Sequence, residues 1–100
     1  VRPVRAQVEA WAAEVEAEVL LADGFDDALV GVAEVFTKHL AVYDRAACLR
    51  ILQQRDGMTE EEAEEYFGFN VTGAYVGDLT PAFLVWRPDV PHSGPDGEPS

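Results

Sequence analysis

An α+β fold is what this sequence predicts: a small antiparallel sheet of about three strands packed against two or three helices, followed by a disordered C-terminal tail. Three observations lead there. Apolar residues recur at helical spacing through the first twenty positions. Apolar runs at 28–36, 40–43 and 82–86, the first of them rich in β-branched residues, suit buried strands better than surface helices. Thr59-Glu60-Glu61-Glu62 has the form of a capping box, in which the hydroxyl and the third glutamate satisfy each other's backbone amides. With 100 residues, 48% apolar and 26% charged, the chain is long enough for one modest core.

At 100° per residue, Val4, Val8, Trp11, Val15 and Val19 share a stripe that excludes Glu9, Glu14, Glu16 and Glu18. The expected helix runs from about Pro3 to Leu21, with Asp23-Gly24 as its stop, so residues 1–22 form an N-terminal helical segment ahead of a core domain at 23–86. The stripe suits either the chain's own core or a second copy or partner helix. Ala28 to Phe36 reads as a buried strand, with a helix over Asp26 to Phe36 as the competing reading. Thr37-Lys38-His39 then makes a turn, and Leu40 to Tyr43 pairs back as a hairpin. Asp44 is a good N-cap for a helix to about Arg55 that groups Ala47, Cys48, Ile51 and Leu52. After the Asp56-Gly57 break, the capped helix should turn Ala63, Tyr66, Phe67, Asn70, Val71 and Ala74 inward. Gly77 to Pro81 reads as a loop and Ala82 to Trp86 as the last strand. Residues 87–100 lack the apolar area to offset ordering entropy and form the expected tail.

Charge sets the strongest exclusion. Nineteen acidic residues against seven basic ones give a formal charge of −12, so an electrostatic grip on nucleic acid or an anionic membrane has no supply of cations. No run resembles a signal-peptide core or the apolar length of a membrane span, and the single cysteine permits no intramolecular disulfide, so a cytoplasmic setting is expected.

Catalytic chemistry finds little material. Ser93 and Ser100 both lie in the expected tail, Lys38 is the sole lysine, and neither a phosphate-binding loop nor a dinucleotide turn is present. Cys48 sits on an apolar helix face among acids, which holds it as a thiol; pairing with His39 is the alternative. His39 and His92 are too far apart for a closed zinc site. Asp23, Asp26, Asp27 and Glu34 are the one cluster of hard oxygen ligands, but their spacing does not match a calcium loop, and turn formation explains them more simply. Neither a metal nor another cofactor is expected. Asn70, centred in an apolar stripe, calls for a buried partner, either the Gly77 to Thr80 backbone or a ligand. Tyr43, Asp44, Asn70, Tyr75 and Thr80 are the polar groups expected to converge at one sheet edge if a pocket exists.

Several segments keep a recognisable order: Ala41-Val42-Tyr43-Asp44, Asp56-Gly57-Met58-Thr59-Glu60-Glu61-Glu62-Ala63, Glu65-Tyr66-Phe67-Gly68-Phe69-Asn70-Val71, Gly73-Ala74-Tyr75-Val76-Gly77 and Thr80-Pro81. In these the stretch from Asp23 to Phe83 resembles a group of small uncharacterised proteins encoded by bacteriophages and bacteria. The resemblance implies no activity; it implies an accessory protein that binds host machinery.

The functional expectation is a non-catalytic module that meets a basic surface on another protein through Glu60, Glu61, Glu64 and Glu65. The pairs 60/64 and 61/65 set these carboxylates on adjacent ridges of one helix. A sharper form has them imitate a phosphate backbone and inhibit a nucleic-acid-binding or defence protein of the host. The alternatives are a small-ligand binder or enzyme using the Tyr43, Asp44, Asn70 and Thr80 edge, and a homodimer through the N-terminal stripe.

Overall fold

The computed structural model describes residues 3–73 and 76–86. Helix α1 (Val4–Val15) is followed by an irregular segment, a 3-10 turn (Asp26–Ala28), strands β1 (Leu29–Val35) and β2 (Lys38–Asp44), helices α2 (Arg45–Asp56) and α3 (Glu60–Phe67), a π turn (Gly68–Thr72) and strand β3 (Ala82–Leu84). The α+β class is as the sequence predicts. No helix among the described residues is long and apolar enough to cross a membrane, and the expected tail lies outside the described residues.

The sheet order is β1-β2-β3. β1 and β2 form the expected antiparallel hairpin, closed by the two residues between the Val35↔Lys38 pair. The turn is therefore Phe36-Thr37, one residue earlier than expected, and Phe36 takes φ 56 there, a left-handed conformation that bulky side chains rarely adopt. β3 lies against β2 in parallel, with Val42↔Ala82 and Asp44↔Leu84. The sheet is thus mixed rather than wholly antiparallel. The reason is topological: α2, α3 and the π turn carry the chain back along the sheet before β3 begins, which is the kind of long crossover that parallel neighbours need.

One face of the sheet builds the core. Leu29, Ala41 and Tyr43 are buried with Cys48, Leu49 and Leu52 of α2, Ala63 and Phe67 of α3, Val8 of α1 and Phe25, while Val32 and Phe83 pack against them. Three aromatic rings tie the layers together: Phe67 meets Phe25 at 6.2 Å and Phe83 at 5.1 Å, both edge to face.

Helix α1 ends six residues before the expected Leu21. Glu16 takes a left-handed conformation (φ 58), and the amide of Ala17 donates back to the Ala12 carbonyl at 2.8 Å, closing the helix as a glycine usually would. The freed segment runs to Ala22, whose N–H donates to the Tyr43 hydroxyl at 2.7 Å, while that hydroxyl donates to the Ala22 carbonyl at 3.4 Å. Arg55 fastens the next turn by donating to the Gly24 carbonyl at 2.7 Å and lying 5.7 Å over the Phe25 ring.

Tyr43 is fully buried, and burial pushes its phenol above the usual range. Replacing it with Phe leaves the Ala22 amide without this acceptor. We expect Tyr43→Phe to lose about 1–3 kcal/mol in denaturant melts, with amide exchange accelerated around residue 22 more than in α2.

Candidate functional site

The capping box forms as its sequence requires. The Thr59 hydroxyl accepts from the Glu62 amide at 3.1 Å, and the Thr59 amide donates to Glu62 Oε1 at 3.0 Å. This fixes the start of α3, so Glu62 is spent on the cap while Glu60, Glu61, Glu64 and Glu65 are all exposed. Arg45 of α2 reaches Glu64 at 3.4 Å. Among the described residues, no ion pair is formed by Glu60, Glu61 or Glu65.

Phe67 and Ala63 are buried and Val71 is half-buried, as the helical projection requires, but Tyr66 and Asn70 are exposed. The expectation that Asn70 sits in an apolar interior is corrected by the π turn: its wider winding, with i to i+5 bonding, shifts the phase beyond Phe67. Asn70 Nδ2 instead donates to the Tyr66 carbonyl at 3.2 Å, one turn back on its own helix.

The five polar residues expected at one edge are only partly gathered. Asn70 and Thr80 line a common groove of about 560 Å³ with Leu20, Phe25, Tyr66 and Phe83. Tyr43 lies buried beneath, engaged with Ala22, and is not among the groove's lining residues, nor is Asp44. Tyr75 lies outside the described residues. Asp44 does occupy the N-cap position of α2, yet its side chain makes no capping hydrogen bond. Thr80 Oγ1 donates to the Gly77 carbonyl at 2.6 Å and accepts from the Val76 amide at 2.9 Å, so it closes its own loop. The groove thus offers mainly apolar walls, and its amide and hydroxyl are used on nearby backbone.

The acidic turn is held by cations of the chain itself. Arg5 Nη1 lies 2.9 Å from Asp26 and 3.7 Å from Asp23, and Asp26 above all raises the arginine's pKa. Glu34 stands apart, paired across the hairpin with His39. Among the described residues no three His, Cys, Asp or Glu side chains gather as a metal site. His39 makes an edge contact with Trp11 at 5.6 Å, while Cys48 is fully buried, its thiol pushed up to about 11 by burial and then by the Asp44 charge.

The N-terminal stripe is divided. Val8 is buried and Val19 packs on the core, so part of it is satisfied within the chain, whereas Val4, Trp11 and Val15 stay 38–50% exposed. Three aromatic groups escaped sequence reasoning: Phe36, Phe69 and Trp86 are 90%, 77% and 76% exposed. Periodicity carried a signal only for Phe69, which falls outside the inward stripe of α3. No family model, curated protein or solved structure matches the chain.

Proposed function

We propose that the chain is a non-catalytic binding module whose Glu60, Glu61, Glu64 and Glu65 grip a basic surface on another protein. The observation that carries this reading is the placement of Glu65, which forms no ion pair among the described residues. Acids in the first turn of a helix are favoured by its dipole, which accounts for Glu60, Glu61 and Glu62. Glu65 lies in the second half of the eight-residue α3, where the dipole gives it nothing and the i, i+4 repulsion with Glu61 costs stability, whereas Glu64 beside it is offset by Arg45 at 3.4 Å. Folding alone does not ask for this arrangement; a cationic partner does. The exposed rings of Tyr66 and Phe69 follow directly and supply the aromatic contacts that interfaces favour.

The finer reading joins this surface to the resemblance with phage-encoded proteins: an accessory protein, working in the cytoplasm, whose carboxylates stand in for the phosphates of a nucleic acid and so inhibit or modulate a host nucleic-acid-binding or defence protein. Reversal of Glu60, Glu61 and Glu65 to Lys leaves the Arg45–Glu64 pair in place. Capture of a basic partner from host lysate should fall about tenfold or more in this variant, with its circular dichroism unchanged. Undiminished capture by the folded variant overturns the proposal.

A further inference from the structure

Leu20 and Val76, both exposed, line two depressions of the surface and so join them into one trough. The larger is the groove of about 560 Å³, with Phe25, Val71 and Phe83 among its walls; the smaller, of about 320 Å³, adds Glu18, Val19 and Leu79. The larger volume lies within the range of ligand sites, roughly 300–1,000 Å³. Its amide and hydroxyl, on Asn70 and Thr80, are engaged with nearby backbone, so what it recognises best is apolar. Charge along the trough has one sign. No Lys, Arg or His lines either part, whereas the carboxylates include Asp23, 98% exposed beside Arg5 at 3.7 Å, and Glu18, which forms no ion pair among the described residues. On the α3 side the wall is Tyr66. Glu65 precedes it, and Glu62 lies one turn earlier on the same helix face.

We infer that this trough seats an apolar side chain of the basic partner, with lysines or arginines on either side of it meeting Glu18, Asp23 and the glutamates of α3. The inference rests on the α3 reading for the partner's basic character, and it adds what that reading lacks, an apolar anchor. Charge selects the occupant. An apolar wall with an acidic rim and no lining cation complements a segment in which an apolar residue is flanked by positive charge. The chain itself is a poor occupant. A second copy brings a net charge of −12, and residues 87–100 carry Asp89, Asp96 and Glu98 against Arg87, with Val90 as their one aliphatic side chain. Anchors of this kind, buried in a pocket and ringed by polar contacts, carry most of the energy in protein interfaces.

Fluorescence anisotropy with the full chain and labelled synthetic peptides tests the inference. The probes are a lysine-glycine peptide with one central leucine, the same peptide with serine in place of that leucine, and a third that keeps the leucine but replaces every lysine with serine. The leucine-lysine peptide should bind about tenfold or more tightly than either of the others, the worth of burying one large apolar side chain. Leu20→Ser/Val76→Ser should remove the advantage of leucine over serine and leave the serine-lysine peptide unaffected. Circular dichroism checks the fold; should the double variant fail to fold, Asn70→Trp, at an exposed position, fills the same groove and should have the same effect. Equal binding of the two lysine peptides overturns the inference, even where both weaken in Glu60→Lys/Glu61→Lys/Glu65→Lys and the α3 reading stands. Equal binding of the two leucine peptides, or no binding of any at millimolar concentration, overturns it as well. Leucine-dependent binding of the lysine peptide that survives the glutamate reversal sinks the α3 reading instead and leaves the anchor to Glu18 and Asp23.

Discussion

Phe67→Ala is expected to lose about 3–5 kcal/mol, enough to bring a domain of this size close to unfolding, since total stabilities run about 5–15 kcal/mol. The ring is fully buried and touches several parts of the fold at once. It meets Phe25 from the segment after α1, Phe83 from β3, and the Arg45 guanidinium of α2 at 5.7 Å, while its own backbone ends α3. A cavity there cannot close without moving several elements, so both the transfer and the cavity contributions are lost. Thermal melting should show a fall of more than about 12 °C; a midpoint within a few degrees of the wild type would show that Phe67 is not the joint between the layers. Phe67→Leu, which refills most of the volume, should recover part of the loss.

Alkaline pH is the second large lever. Cys48 is pushed up to about 11 from an ordinary value of 9.0, first by burial and then by the charge of Asp44. A group whose folded pKa is raised contributes stability that is fully present below its unfolded value and lost as pH climbs to the folded one. The window is therefore pH 9.0 to about 11, and two units correspond to about 2–3 kcal/mol. Tyr43 shifts in the same direction, chiefly through burial, and extends the decline. Denaturant midpoints across this window should fall steeply for the wild type and less steeply for Cys48→Ala. Parallel declines would mean that the thiol ionises freely in the folded chain. The same burial keeps Cys48 from acting as a nucleophile at neutral pH, because the thiolate is the reactive form.

How far each element could be read depended on whether its cause was local. The capping box at Thr59 and Glu62 is closed by residues three apart, so its spacing was sufficient. The hairpin of β1 and β2 followed from two apolar runs with a short gap. The end of α1 was hidden because Glu16 takes the left-handed turn normally left to glycine, and because the partner that holds Ala22, the Tyr43 hydroxyl, is 21 residues away. The parallel direction of β3 depends on how the intervening helices cross the sheet, which no period in the sequence encodes. Asn70 was misplaced by a change of winding: a π turn differs from an α-helix by one residue in its bonding, and the wheel loses phase there.

The candidate site divides in the same way. The exposed carboxylates of α3 were legible, since their spacing and their helix were both local facts. The groove gathered Asn70 and Thr80 but not Tyr43 or Asp44, because proximity across the fold was decided by which face each strand residue occupies.

Salt dependence of partner binding is the sharpest probe of an acidic grip. With the captured protein immobilised, the dissociation constant should rise about tenfold or more between low and moderate ionic strength, as expected for contacts between exposed charges. Glu60→Gln/Glu61→Gln/Glu65→Gln should both weaken binding and flatten that dependence. Tight binding that is indifferent to salt, or unchanged by loss of these three carboxylates, would contradict a partner surface built on α3.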